Sequence, residues 1–264
     1  MNKQTKTTLA AFLATSVAVF AGSSTKNAKL TESVCDCSVN LTGSIGIDLS
    51  SGYINKGRQF DTSAVFQPFV SVVVPTSLEL GGVKVGFVGS TKQNLFTQDP
   101  LRTFGRSEYN AGIALNKDRF SLISTYEYVT SKNDWFPEAQ GVNLVLNFND
   151  SDLLPVALNP HAKTYLGVKR NNQPVGNYYE VGISPSTTVY NTKVSVPVTV
   201  GVGDKNFYTS GEAYGYTSAG VTTSTPLADH VSLTTGVTYF NTNEKNNAGN
   251  KNLWLTSVGV VVNF

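Results

Sequence analysis

Leu253-Trp254-Leu255-Thr256-Ser257-Val258-Gly259-Val260-Val261-Val262-Asn263-Phe264 closes the sequence. Trp254, Val258, Val260, Val262 and Phe264 share one parity, while Ser257, Gly259 and Asn263 hold the other. Successive side chains of a β-strand point to opposite faces, so this period of two describes a strand with one apolar and one small, polar face.

The same pattern recurs backwards through the chain. Residues 42–264 divide into twelve alternating segments. Val194, Val196, Val198, Val200 and Val202 form a valine stripe over Lys193, Ser195, Thr199 and Gly201. Val231, Leu233, Val237 and Tyr239 oppose Ser232, Thr234 and Gly236. Ile45, Ile47, Leu49 and Tyr53 alternate with Ser44, Gly46, Asp48 and Ser50. The second and third segments are read as Ala64–Pro75 and Leu78–Gly89, turning at Pro75-Thr76-Ser77. Segment ten, Gly211–Thr222, is open in phase because both Tyr214 and Val221 could face outward, which leaves ten strands as the alternative count.

Alternation also fits a soluble sandwich, so other features decide. Charged residues are only 14% of the chain, against about 25% in an ordinary soluble domain. The faces opposite the apolar ones carry Gly, Ser, Thr and Asn. Tyr53, Tyr109, Tyr128, Phe148, Tyr179, Tyr239 and Trp254 cap the apolar faces, as in the aromatic girdles of a lipid boundary. Long polar connections such as Ser90–Arg106 and Asn241–Asn252 interleave with short ones such as Asn116-Lys117-Asp118 and Thr225–Asp229. Asn149–Pro160 is long where a turn is expected. With a mean hydropathy of −0.10 and no long apolar run, a helical membrane protein is excluded. The expected fold is all-β: a closed antiparallel transmembrane β-barrel of about twelve strands over 42–264, long loops outside the cell and both termini in the periplasm.

Residues 1–21, MNKQTKTTLAAFLATSVAVFA, have a basic start at Lys3 and Lys6 and an apolar stretch, Leu9–Phe20, too short to anchor in a bilayer. Val19 and Ala21 suit signal peptidase, so a secretory signal peptide cleaved after about Ala21 is expected. Cleavage removes two lysines from a chain of net charge +2, leaving a neutral mature protein. Residues 22–41 read as a flexible periplasmic segment. Cys35 and Cys37 fit a strained disulfide, a link to another chain or an incidental pair.

A signal peptide combined with that closing strand and its terminal Phe264 resembles Gram-negative outer-membrane β-barrel proteins. The resemblance implies that Trp254, Val258, Val260, Val262 and Phe264 are the signal read by the barrel-assembly machinery. Ser50–Phe60 and Ala64–Pro68 also resemble the first hairpin of the bacterial putative-porin families, with Lys56-Gly57-Arg58 in place of the usual Arg-Gly order. That resemblance implies passive permeation.

Turning the apolar faces to lipid sends Asp48, Lys84, Glu108, Glu127, Lys163, Lys169, Glu180 and Lys193 inward as candidate pore-lining residues. Four acids and four bases across a narrow bore would orient hydrated solutes, or pair and block it. Lys56 and Arg58 are candidates for the outer mouth. The loop Ser90–Arg106, more apolar than an idle loop need be, could bind a partner, pack on the rim or fold inward; folding inward is expected, because it avoids exposing Phe96 and Phe104 on a cell surface. No catalytic constellation is found: His161 and His230 begin strands at the periplasmic rim, and no metal set, cofactor motif or nucleic-acid surface stands out. The functional reading is a porin-like channel for small hydrophilic solutes with outer-membrane lipids as its surroundings. The alternative is a non-conducting structural or adhesive barrel.

Overall fold

A computed structural model describes residues 41–97, 105–131, 138–154, 156–171, 175–207, 213–247 and 249–264. The signal peptide, Cys35, Cys37 and the middles of several loops, Phe104 included, lie outside the described residues.

The strands are β1 (Thr42–Ser50), β2 (Tyr53–Asn55), β3 (Arg58–Asp61), β4 (Val65–Leu80), β5 (Val83–Phe96), β6 (Arg106–Lys117), β7 (Phe120–Thr130) and β8 (Ala139–Phe148). There follow β9 (His161–Arg170), β10 (Asn177–Ile183), β11 (Ser186–Val189), β12 (Thr192–Ser195), β13 (Val198–Gly203), β14 (Tyr214–Ala228), β15 (Val231–Thr242) and β16 (Asn252–Asn263). All but β2 and β3 belong to one fourteen-stranded antiparallel sheet. β10 with β11, and β12 with β13, are each one wall strand interrupted at Pro185 and Pro197, which leaves twelve wall strands. A proline removes the N–H that a central strand needs, and its carbonyl can still pair: Pro185 accepts from Val196 at 2.8 Å and Pro197 from Gly220 at 3.0 Å.

β1 pairs on one side with β4 and on the other with β16, closing the sheet. Phe264 seals the seam, its N–H donating to the Gly43 carbonyl at 3.0 Å and its carbonyl accepting from Gly43 at 2.9 Å. Closure leaves no edge, the condition for strands to cross hydrocarbon.

The faces sort as the alternation requires. Ile47, Phe87, Val181, Val200, Val258 and Val260 point outward with much of their surface uncovered, Val181 at 59%. Aromatic pairs mark both ends of this apolar belt. Tyr109–Tyr128 and Tyr239–Trp254 lie towards the loop end, with ring centroids 6.3 and 5.0 Å apart. Phe120–Phe148 lies at the turn end, at 4.8 Å. In β14, Tyr214 and Tyr216 are buried inside while Val221 is 50% exposed outside, which fixes the phase of the tenth wall strand.

Four details differ from the expectation. The turn after β4 falls at Gly81-Gly82, not at Pro75-Thr76-Ser77, because a two-residue hairpin needs positive φ twice and these glycines supply 58° and 81°. Pro75 sits instead at a register shift inside the strand pair. Likewise β14 runs on to Ala228, so the next turn is Asp229-His230 rather than Thr225–Asp229. Ser90–Phe96 is not loop but the end of β5. Finally, Tyr53 is not on the lipid face: it belongs to the separate β2–β3 hairpin and is 5% exposed against Phe60 and Phe96.

Candidate functional site: the lumen and its hairpin

The β2–β3 hairpin follows β1 at the loop end and turns back into the barrel. Its tip is Lys56-Gly57, both with positive φ. The Lys56 carbonyl accepts from the Tyr214 hydroxyl at 3.1 Å. The Gly57 carbonyl accepts from Thr242 Oγ1 at 2.8 Å and Asn247 Nδ2 at 3.1 Å, and Asn247 Oδ1 accepts the Gln59 N–H at 2.7 Å. Gly57 is required there twice over: its φ is 77°, and a Cβ would stand 2.4 Å from the Tyr216 ring.

Two buried apolar clusters hold the hairpin. One is Tyr53, Val65 and Phe96; the other is Tyr165, Tyr178, Phe207, Tyr214 and Tyr216. Phe60 packs against both, so the hairpin bridges the β4–β5 side of the wall to the β9–β14 side. Glycine on the wall admits the rings: a Cβ on Gly201 would meet Tyr216 at 2.4 Å and the Tyr178 hydroxyl at 2.6 Å.

Lys56 is the central charge of this arrangement. Its Nζ lies 4.5 Å from the Tyr165 ring centroid, 5.0 Å from Phe207 and 5.2 Å from Tyr178. Tyr178 and Phe207 stack at 5.4 Å, and Phe207 meets Tyr165 edge-on at 5.6 Å. Part of the side chain remains open to the lumen, but protein surrounds the ammonium, and this burial lowers its pKa to about 8. Glu127 and Glu108 act to raise it; Lys163 and Arg106 act to lower it. The ring faces attract the cation and oppose the burial effect. Lys56 was expected at the outer mouth; it lies inside because the hairpin folds in. Arg58 lies over the Phe60 ring at 5.0 Å.

The other charges collect on the arc from β5 to β10. Arg106 Nε pairs with Glu108 Oε1 at 3.1 Å, and the same oxygen accepts from the Tyr53 hydroxyl at 3.3 Å. Glu127, 7% exposed, accepts from Asn143 Nδ2 at 2.7 Å. Glu180 is cross-strand from Lys163 and accepts from the Tyr178 and Tyr216 hydroxyls, the latter at 2.9 Å. His161 Nε2 lies 3.8 Å from its other oxygen. Asp48 faces Gln67 across the β1–β4 ladder, on the inner side. Gln67 Nε2 donates to Asn94 Oδ1 at 2.5 Å, and Asn94 Nδ2 donates to the Arg106 carbonyl at 3.3 Å.

Three candidates are not brought to this cluster. Lys84 and Lys193 share the inner parity but lie exposed at the turn end, opposite Asn116 and Ser224. Lys169 leaves the inner parity altogether. A register shift after Gln140 sets it opposite that residue, whose amide oxygen accepts from the outward Tyr126 hydroxyl at 2.5 Å. Trp254, Val258, Val260 and Val262 all point outward, Trp254 at 64% exposure. Lys92, absent from the sequence reading, is inward on β5, opposite Phe69 and Glu108. Its signal was the parity Ser90, Lys92, Asn94, Phe96, which extends the third segment without a break.

The remaining wall, β14 to β16 and β1, is lined by Ser44, Gly46, Ser218, Gly220, Thr222, Thr234, Gly236, Ser257 and Gly259, with Asp48 of β1 lying over Gly259. In the twelve-strand order this small-residue wall stands across the bore from the charged β6–β9 arc.

No family model matches the chain, and no curated protein does. Among solved structures the NanC porin is similar over 84% of this chain and 98% of its own, with 11% identity and a TM-score of 0.50. An outer membrane channel from Pseudomonas putida F1 is similar over 90% and 100%, again at 11% identity, with a TM-score of 0.53. Outer membrane phospholipase A from Escherichia coli is similar over 84% and 92%, at 12% identity and a TM-score of 0.49. The chain has the fold of the outer-membrane porins and barrels: a closed, twelve-stranded, antiparallel sheet.

Proposed function

We propose that this protein is an outer-membrane channel for passive diffusion of small hydrophilic solutes, narrowed at its loop end by the β2–β3 hairpin. The observation that carries the reading is the two-sided bore, with a wall of Gly, Ser and Thr facing an arc of Lys92, Arg106, Glu108, Glu127, Lys163 and Glu180. Charges of both signs on one side and small polar groups on the other suit hydrated solutes and give neither ion sign a strong preference. In this reading the signal peptide is cleaved after about Ala21, the closing strand is the barrel-assembly signal, and the long loops face outside.

Catalysis has no support in the placement of the histidines. His161 is inside, beside Glu180, and His230 sits in a turn with φ 66°, so neither is set to activate a serine on the lipid face. A second reading, a non-conducting barrel, is favoured by one observation: Phe60 joins the two lumen clusters into an apolar bridge across the loop end. Single-channel recording in planar bilayers separates the two. Step conductance supports the channel; a silent barrel that still migrates differently before and after boiling supports the second reading.

A further inference from the structure

We propose that the box formed by Tyr165, Tyr178 and Phe207 is a binding site for organic ammonium groups, quaternary ones above all, and that Lys56 is its built-in occupant. Three ring faces lie 4.5–5.2 Å from one Nζ, within the range at which an aromatic face attracts a cation. The box is preassembled from the wall rather than from Lys56. Tyr165 and Tyr178 stand on β9 and β10, the Tyr178 hydroxyl is held by Glu180 and by Tyr216 at 2.6 Å, and Phe207 packs against both rings. The Arg170 guanidinium holds the Phe207 backbone by donating to its carbonyl at 2.7 Å.

The occupant is separable from the frame. The hairpin tip is anchored through backbone carbonyls and Gly57, so the Lys56 side chain can swing into the lumen while the tip stays docked. A primary ammonium is strongly hydrated and loses that hydration in the box, which is why burial pulls Lys56 down to about 8. An alkylated ammonium has less hydration to lose and meets the same three faces, so the box favours it. The charged groups around the box are Glu108, Glu127 and Glu180 against Arg106, Lys163 and Arg170, with Lys169 beside Tyr165 and Phe207 in the cleft behind them. The acids do not outnumber the bases, so recognition rests on the rings.

The inference deepens the channel reading by naming a solute class, and binding in detergent tests it without conduction. The full-length mature barrel is titrated calorimetrically with tetramethylammonium chloride in a maltoside detergent, which carries no ammonium headgroup. Lys56→Ala, which empties the box, is expected to bind about tenfold more tightly than wild type, and tert-butanol, uncharged and close to the same shape, is expected to bind at least about tenfold more weakly. In the Lys56→Ala background Phe207→Leu loses binding and Phe207→Tyr keeps it. Should Phe207→Leu fail to fold by heat-shifted migration, Tyr165→Leu against Tyr165→Phe gives the same contrast. Equal affinity for the neutral isostere, no gain in Lys56→Ala, or binding that survives loss of a ring face overturns the proposal. A barrel that binds tetramethylammonium but passes no current defeats the channel reading alone.

Discussion

Substituting Gly57 by alanine should release the β2–β3 hairpin from the lumen while leaving the wall intact. A non-glycine residue at a φ of 77° costs about 1–2 kcal/mol. The new Cβ would sit 2.4 Å from the Tyr216 ring, and overpacking of that kind costs about 1–3 kcal/mol more. Against this total of about 2–5 kcal/mol stand the tip's hydrogen bonds from Tyr214, Thr242 and Asn247 and to Asn247, each worth about 0.5–1.5 kcal/mol. The strain cancels the tip's hydrogen bonds and leaves the packing of Tyr53 and Phe60 as the hairpin's main hold, so the undocked state is reached far more often than in wild type. Trypsin reads this directly, because it cleaves after Lys56 and Arg58, and the docked hairpin holds both inside the barrel. Detergent-folded Gly57→Ala should be nicked at those two bonds at least about tenfold faster than wild type. The cut protein should still migrate as a folded barrel until boiled. If Gly57→Ala resists trypsin as wild type does, the tip is not held as described and the steric argument fails.

Val260→Arg places a cation on the lipid face and should cost about 2–4 kcal/mol, seen as a smaller heat-shifted fraction on refolding, while Ser257→Arg on the lumen face should not. Equal loss in both would reject the face assignment. Lys92→Glu with Lys163→Glu should move the reversal potential towards cation preference more than Lys84→Glu, which lies exposed at the turn end; an equal shift would reject the inner arc as the selective region. Lys56 titrates near 8 in the box and near 10.5 once freed, so between these values the freed state binds more protons and rising pH strengthens its hold on the box. Tetramethylammonium affinity of wild type should therefore fall about tenfold from pH 7 to 9.5 and stay flat in Lys56→Ala, checked by the same titration. Deleting Phe264 removes both seam hydrogen bonds to Gly43 and should reduce the amount of folded barrel recovered from membranes; an unchanged yield would reject its role in closure and assembly.

The wall was legible because a strand's parity is a local property. Val194 to Val202 and Val258 to Val262 state their outward face without reference to any neighbour. Asp48, Glu108, Glu127, Lys163 and Glu180 follow from the same parity, since a residue between two lipid-facing ones must point inward. Lys169 fails that rule because a bulge is a property of the pair β8–β9, and nothing in either strand alone announces it. Lys92 was missed for the opposite reason: Ser90–Phe96 was read as loop on its polarity, although a strand inside a wet barrel is polar on its inner face anyway. The hairpin was beyond a local reading. Tyr53 continues the parity of β1, and only its contacts with Phe60 and Phe96 show that the chain has left the wall.

Composition connects these observations. A barrel that showed only small and polar groups inside would need no buried aromatic cluster there, yet Tyr165, Tyr178, Phe207, Tyr214 and Tyr216 form one at the loop end. Apolar rings exposed to lumen water are unfavourable, and covering one fully is worth about 1.5–3 kcal/mol. The hairpin supplies the cover: Phe60 meets both clusters, and Gly57 lies flat against Tyr216 where any other residue would be pushed away. Inner aromatics and inward hairpin thus require each other, each being the other's buried partner. Lys56 is the one element that this mutual burial does not explain, since a leucine would cover the same rings with no charge to desolvate. An ammonium kept there against its hydration makes the box, rather than the charged arc, the first place to test for ligand binding.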